Sequence, residues 1–358
     1  MQQKVRLRAF CEKKRPQTAN RARDGQLLTN GKMEKSPGDI LSEGLAKITR
    51  YPYRLFSEGK LYDTCVSQEK TFYWEGDCNV DFFYALLDQA PSKPLKVPLL
   101  LGFKEKGDEL RWEEWACQHL LIAGMTGSGK TYYLIAMIIA FFHYSHPEYA
   151  KLCLMDAKNV IADELKGVAT TAKDDPAIID ILNRLHAEMV RRMALLGQEG
   201  APRTAQDWNS RVYSHRMRGH VMPFIVVVFD EFGAFFDRQK KNLELTKKVR
   251  QMLSQARSAG IIFCFATQTT YTKYLDGDIL ANFEERIAFR LKSETNGVQI
   301  LGRMNPLQKN AYVATLQTGQ CYRLERGKRV LYTIPWVGKH ALRNAVKNWK
   351  KNGFDWSI

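Results

Sequence analysis

Residues 124–131 read Gly-Met-Thr-Gly-Ser-Gly-Lys-Thr. Glycines followed by a lysine and a hydroxyl at this spacing fit the pattern GxxxxGK[ST], and the chemistry of that pattern is the holding of a polyphosphate. Gly124, Gly127 and Gly129 let the chain turn its N–H groups inward. A helix starting just afterwards adds its positive end at the same place. Gly124, Met125, Thr126, Gly127, Ser128, Gly129, Lys130 and Thr131 are therefore the candidate nucleotide contacts. In such a cradle the lysine reaches the β- and γ-phosphates and the hydroxyl coordinates Mg²⁺, so ATP with Mg²⁺ is the ligand these residues suit.

A second group of candidates closes the run Phe-Ile-Val-Val-Val-Phe-Asp230-Glu231. Acids at the carboxyl end of a buried parallel strand lie where such sheets bind ligands. Asp230 suits the Mg²⁺ shell. Glu231 suits a general base that orients and deprotonates a water for attack on the γ-phosphate. Acids after a strand are common in loops, and it is the pairing with the glycine-rich loop that gives these two their meaning.

Gln268 ends the next apolar run, IIFCFAT. If that strand inserts between the acidic strand and the one before the phosphate loop, Gln268 comes beside the γ-phosphate, able to hydrogen-bond the attacking water. A glutamine without a role is the plain alternative. Arg257 precedes it at the expected end of a helix (LSQARSAG). There it suits an arginine finger entering a neighbouring subunit's site. A helix C-terminus also favours arginine for its dipole alone, and Arg286 and Arg290 are rival fingers.

These residues need a frame. Strands are expected at 96–103, 118–123, 151–156, 224–229, 261–267 and 286–291. Helices are expected at 131–144, 176–196 and 242–259, the second opened by Asp174-Asp175-Pro176 and the third closed by Gly260. Short continuous apolar strands alternating with helices predict an α/β fold, its mainly parallel sheet covered on both faces. Four regions follow: a basic arm over 1–50 with a short helix near 40–49, a small aromatic-rich subdomain over 51–95, an α/β domain over 96–335 that carries the phosphate loop, and a basic tail or amphipathic helix over 336–358. The aromatics of the second region read as core sooner than as base-stacking platforms.

Composition narrows the class. The 358 residues carry 54 Lys+Arg against 38 Asp+Glu, a net charge of +16, with 45% hydrophobic residues, enough for a sizeable core. That balance fits a polyanion partner, nucleic acid above all, solubility being the bland alternative. The seven cysteines are scattered with no CxxC pair, which argues against a zinc site and against a disulfide framework. No secretory leader is legible, and the longest apolar run, 132–142, is too short to span a bilayer, so a cytoplasmic location is expected.

The segments HLLIAGMTGSGKT, CLMDAKN, LHAEMVRRMALL, PFIVVVFDEFGAFF, QARSAGIIFCFATQ and RIAFRLKS occur in the order found in the FtsK/SpoIIIE family of DNA translocases, and the chain resembles that family over about residues 95 to 325. The resemblance implies a RecA-like P-loop motor assembling as a homo-hexamer around DNA. It supports Lys130 and Thr131 as nucleotide contacts, Asp230 with Glu231 as the acidic pair and Gln268 as sensor, and it raises Arg257 above its rivals. Departures are visible: the ATQ segment continues Thr269-Thr270 where the family usually has Arg-Pro, no membrane span is legible, and the stretch after Arg326 is too short for a winged-helix reader. The expected type is a compact mobile-element relative acting in transfer, segregation or replication.

The partners expected on this reading are DNA, double-stranded before single-stranded, and a relaxase, replication initiator or membrane channel that supplies target choice. Arg203, Arg211, Arg216 and Arg218, or Lys240, Lys241, Lys247 and Lys248, could line a pore, a solvated helix face being the bland reading of the second group. Arg343, Lys347, Lys350 and Lys351 give the C-terminal stretch its basic face. Related motor domains also move polypeptides, so a secretion ATPase is the competing reading.

Overall fold

The computed structural model describes residues 98–104, 110–114, 118–214, 221–268, 277–303, 311–334, 337–353, 355 and 357–358. The basic arm, the aromatic-rich region, Arg216, Arg218 and Thr269-Thr270 lie outside the described residues.

In chain order the strands are β1 (Pro98–Lys104), β2 (Leu110–Glu114), β3 (Leu120–Ala123), β4 (Ala150–Asp156), β5 (Thr170–Ala172), β6 (Phe224–Asp230), β7 (Ile261–Thr267), β8 (Glu285–Phe289), β9 (Gln320–Glu325) and β10 (Lys328–Thr333). The α-helices are α1 (Lys130–Tyr144), α2 (Asp175–Leu196), α3 (Ala205–Ser214), α4 (Phe232–Arg238), α5 (Leu243–Gln255), α6 (Gly277–Ala281), α7 (Glu294–Leu301) and α8 (Lys339–Lys351). One sheet contains all the described strands, in the order β2-β1-β10-β9-β8-β3-β7-β6-β4-β5. From β8 to β5 every pairing is parallel. From β8 to β2 every pairing is antiparallel.

Strand periodicity assigns the two faces. On β3, Leu120 and Ile122 point to one core while Leu121 and Ala123 point to the other. On β4, Leu152 and Leu154 oppose Cys153 and Met155 in the same way. Because both faces are covered, β6 and β7 are buried along their whole length, which is why they read as unbroken apolar runs rather than alternating ones.

α1 fills the first face. It is buried from Tyr133 to Phe142, so it is apolar on all sides rather than amphipathic. α8 joins it there through Ala341, Leu342, Ala345, Val346 and Trp349, with the Trp349 and Phe142 rings 4.4 Å apart. The basic C-terminal helix therefore shares the core on this face of the sheet. α2, α4, α5 and α7 cover the second face. α2 starts where Asp174 accepts a hydrogen bond from the Ala177 N–H at 2.9 Å, and α5 starts where Asn242 accepts one from Leu245 at 3.1 Å.

Two expectations shift. α5 ends at Gln255 rather than 259. The Ser258 and Ala259 carbonyls are taken by outside donors, the Ala205 N–H at 2.8 Å and the Arg192 guanidinium at 2.9 Å. Gly260, at φ 73°, turns the chain back into β7. Arg257 thus sits in the turn just past α5, one residue beyond its C-cap Ala256, where the negative end of the helix still favours a cation. The β9–β10 hairpin was also not anticipated. Arg326 and Gly327 join it with φ of 49° and 74°, the positive pair that a two-residue hairpin turn requires.

Candidate nucleotide site

β3 delivers the phosphate loop and α1 receives it. Gly129 caps α1 at φ 103°, and Gly127 has φ 76°, values costly for any residue with a Cβ. A Cβ on Gly129 would come 2.9 Å from the Gly319 nitrogen, so the spacing of glycines is fixed by close backbone approach as well. The loop is pinned to its neighbours by Gly124 N–H donating to the Thr267 carbonyl and Met125 N–H donating to the Arg290 carbonyl, both 3.0 Å. No acid occupies the first turn of α1, leaving its positive end open to an anion.

Lys130 is buried, and its ammonium lies 2.6 Å from Asp230 Oδ1 and 3.0 Å from Glu231 Oε1. β6 carries the first acid to its carboxyl end. Glu231 follows at φ 59°, ψ 36°, a left-handed conformation that a non-glycine residue holds only where its surroundings impose it. Burial pushes the Asp230 carboxyl up, and the Lys130 charge opposes that.

β7 lies between β3 and β6, as the sensor reading requires. Gln268, just past its end, accepts a hydrogen bond from the Thr126 hydroxyl at 2.7 Å. The phosphate loop, the acidic pair and the glutamine therefore meet at one edge of the sheet. Thr131 sits half-buried in the first turn of α1 beside them.

The arginines separate. Arg257 precedes β7 and pairs with Glu284 at 2.6 Å. β7 has seven residues, so this turn lies roughly 20 Å along the strand from Gln268 and cannot serve its own chain's site. Arg286 donates to the carbonyls of Leu280, Phe283 and Ile300, which ties it into the fold. Arg290 follows β8 on the phosphate-loop side.

Two site residues were not singled out from sequence. Asp156 ends β4 directly opposite Asp230 in the strand register. Its Oδ2 accepts from the Ile161 and Ala162 N–H groups at 2.6 and 3.2 Å, and its buried Oδ1 has no protein partner. Lys158, on the loop so held, places its ammonium 3.3 Å from Glu231 Oε1. The segment CLMDAKN carried the signal: an acid closing a buried strand, as in β6.

The residues fit the ligand. A glycine cradle, a buried Ser128 hydroxyl with no protein partner, the unpartnered Asp156 oxygen and a lysine held in place by two carboxylates are what ATP and a divalent cation would complete.

The sequence model of the FtsK/SpoIIIE family matches residues 88–305, more than half of the chain. The chain belongs to the FtsK/SpoIIIE family. Among curated FtsK/SpoIIIE proteins it is similar to the DNA translocase FtsK of Treponema pallidum (strain Nichols), 32% identical over 222 residues, 60% of this chain and 27% of that protein. It is also similar to the DNA translocase FtsK of Chlamydia muridarum (strain MoPn / Nigg), 33% identical over 228 residues, 60% of this chain and 28% of that one. The chain thus spans about a quarter of the length of these relatives. Among solved structures, the conjugation coupling protein TcpA of pCW3, in its monomer form with ATPγS, superposes with a TM-score of 0.59 at 18% identity, over 73% of this chain and 72% of that one. The cytoplasmic domain of the type VII secretion ATPase EccC of Thermomonospora curvata gives 0.59 at 20%, over 73% and 32%. Both share the P-loop ATPase fold of this FtsK/SpoIIIE chain. Among its described residues no helix is long and apolar enough to cross a membrane.

Proposed function

We propose that this chain is an ATP-hydrolysing motor that drives DNA through a ring of its own copies. The observation that carries this reading is Lys130 lying between Asp230 and Glu231 at the mouth of the phosphate loop, with Gln268 bonded to Thr126 beside them, in a member of the FtsK/SpoIIIE family. Lys130 moves onto the β- and γ-phosphates when nucleotide enters. Thr131 and Asp230 would hold the Mg²⁺, which when bound supplies positive charge to the phosphate oxygens. Glu231 takes a proton from water as that water's oxygen bonds the γ-phosphorus and the bond to the β-phosphate bridging oxygen breaks, and Gln268 orients the water.

Arg257, held away from its own chain's site, is assigned to the neighbouring copy's γ-phosphate in a homo-hexamer. The net charge of +16 supports DNA as the polymer, double-stranded by preference. Lys240, Lys241 and Lys247 are exposed beyond α4, whereas Lys248 is engaged by Glu244 at 2.8 Å and Asn183 at 3.0 Å. Transfer of a plasmid or integrative element, with a relaxase or initiator choosing the target, is the process we assign. The fold shared with a conjugation coupling protein is compatible with it.

The test is steady-state ATP hydrolysis with long double-stranded DNA, with single-stranded DNA and with an unfolded polypeptide. Stimulation by DNA that is lost in Lys130→Ala and Glu231→Gln supports the motor. Stimulation by the polypeptide alone replaces it with the secretion reading.

A further inference from the structure

A phosphate cradle works by facing successive N–H groups inward, so the matching carbonyls face outward and need donors of their own. Two of the outward carbonyls here belong to Gly127 and Ser128, and both are satisfied by one short segment that lies far away in sequence. The Thr318 hydroxyl donates to the Gly127 carbonyl at 2.9 Å, and the Gly319 N–H donates to the Ser128 carbonyl at 3.0 Å. Gly319 lies so close that a Cβ on Gly129 would meet its nitrogen at 2.9 Å.

The segment is itself braced. Gln320 N–H donates to the Gln317 carbonyl at 3.0 Å, and the Gln320 side chain accepts from the Gln317 N–H at 2.9 Å. The Gly319 carbonyl accepts from the Ile334 N–H at 2.9 Å, where the chain leaves β10. Gly319 adopts φ 84°, which lets the turn present its hydroxyl and its N–H on one side. The β9–β10 hairpin, on the antiparallel side of the sheet, is by this route bonded to the floor of the phosphate loop.

We propose that the turn at Thr318 and Gly319 is a positioning element that keeps the phosphate loop preformed before nucleotide arrives, with Thr318 as its side-chain contributor. This rests on the nucleotide-binding reading of the loop. A preformed cradle spares the ligand the cost of ordering it, so the turn acts on affinity. Once phosphates fill the loop they hold it themselves, so turnover at saturation is little altered.

The experiment compares Thr318→Val, which keeps shape and removes the donor, with Thr318→Ser, which restores it. Binding of a fluorescent ATP analogue, KM and kcat for ATP, and the melting temperature without nucleotide are measured on the full chain. One exposed hydrogen bond corresponds to a roughly two- to fivefold loss of affinity in Thr318→Val. That loss is expected with kcat within twofold, an unchanged melting temperature and near-parent binding in Thr318→Ser. Equal binding by parent and Thr318→Val overturns the proposal, as does a fall in kcat at unchanged affinity, or a loss in Thr318→Ser as large as in Thr318→Val. A parent chain that binds no analogue would instead remove the nucleotide reading beneath it.

Discussion

Lys130 and Asp230, 100 residues apart in sequence, form a 2.6 Å ion pair that is almost wholly shut off from solvent. Without nucleotide, the lysine is the buried counter-charge of both acids. Removing one member of a buried pair leaves an uncompensated charge, which costs about 3 kcal/mol or more. Lys130→Ala is therefore expected to lower the stability of the nucleotide-free protein by that order, besides abolishing ATP binding. Adding Asp230→Asn should return part of the loss. Denaturant unfolding of the two single variants and the double variant measures the coupling, and strict additivity would show that the pair is not coupled.

The loop after β4 gives a second expectation. When Lys130 turns to phosphates, Lys158 stays within reach of Glu231 Oε1, now 3.3 Å away. Half-exposed ion pairs are worth about 1 kcal/mol or less. Lys158→Ala should thus reduce kcat about fivefold, through a less well oriented Glu231, while the affinity for a non-hydrolysed ATP analogue stays within twofold. Lys158→Arg should recover most of the rate. A fall in analogue affinity with unchanged kcat would make Lys158 a phosphate contact instead.

Much of this site was legible because its physics is local. A glycine-rich loop between a buried strand and a helix, and acids closing an apolar strand, are patterns that one stretch of chain displays. Gln268 could be placed because the order of β6, β7 and β3 brings its strand end beside the loop. Thr318 and Gly319 could not, since their role depends on a backbone contact between distant segments and leaves no periodicity. α8 shows the same limit: Arg343 and the lysines gave it a basic reading, yet Trp349 and its neighbours set its place in the core. The β9–β10 hairpin could have been found, because CYRL and RVLY flank an Arg-Gly turn. The early end of α5 could not, because it follows from Arg192, on a different helix, reaching the Ala259 carbonyl.

Arg257 yields a prediction that separates subunits. Its guanidinium pairs with Glu284 at the opposite end of β7 from Gln268, so its substitution leaves its own chain's site intact. Arginine fingers are worth about 10³-fold or more in kcat. Arg257→Ala should bind the ATP analogue normally and lose hydrolysis on that scale. Mixing it with Lys130→Ala chains, which retain Arg257 but cannot bind ATP, should restore partial turnover at mixed interfaces. No recovery over a titration of mixing ratios would reject action in trans and return Arg290, on the phosphate-loop side, as the candidate.

Glu188 controls the turn that carries Arg257. It accepts hydrogen bonds from Arg191 and Arg192, which bring its carboxyl down to about 2, and Arg192 in turn holds the Pro223 and Ala259 carbonyls at 2.8 and 2.9 Å. A carboxyl lowered by folding leaves the unfolded chain with more bound protons, so its contribution is complete above the ordinary value of 4.5 and fades as pH falls toward 2. After allowance for solvent screening the contribution is on the order of 1–2 kcal/mol. Glu188→Gln should therefore be less stable than the parent by about that amount at pH 7, with the gap narrowing between pH 4.5 and 2 as the parent's own carboxyl becomes protonated. Denaturant unfolding of both proteins at a series of pH values reads the gap directly. A gap that stays constant from pH 7 to pH 3 would mean that shape at this position, and not the carboxylate's charge, secures Arg192 and the turn beyond it.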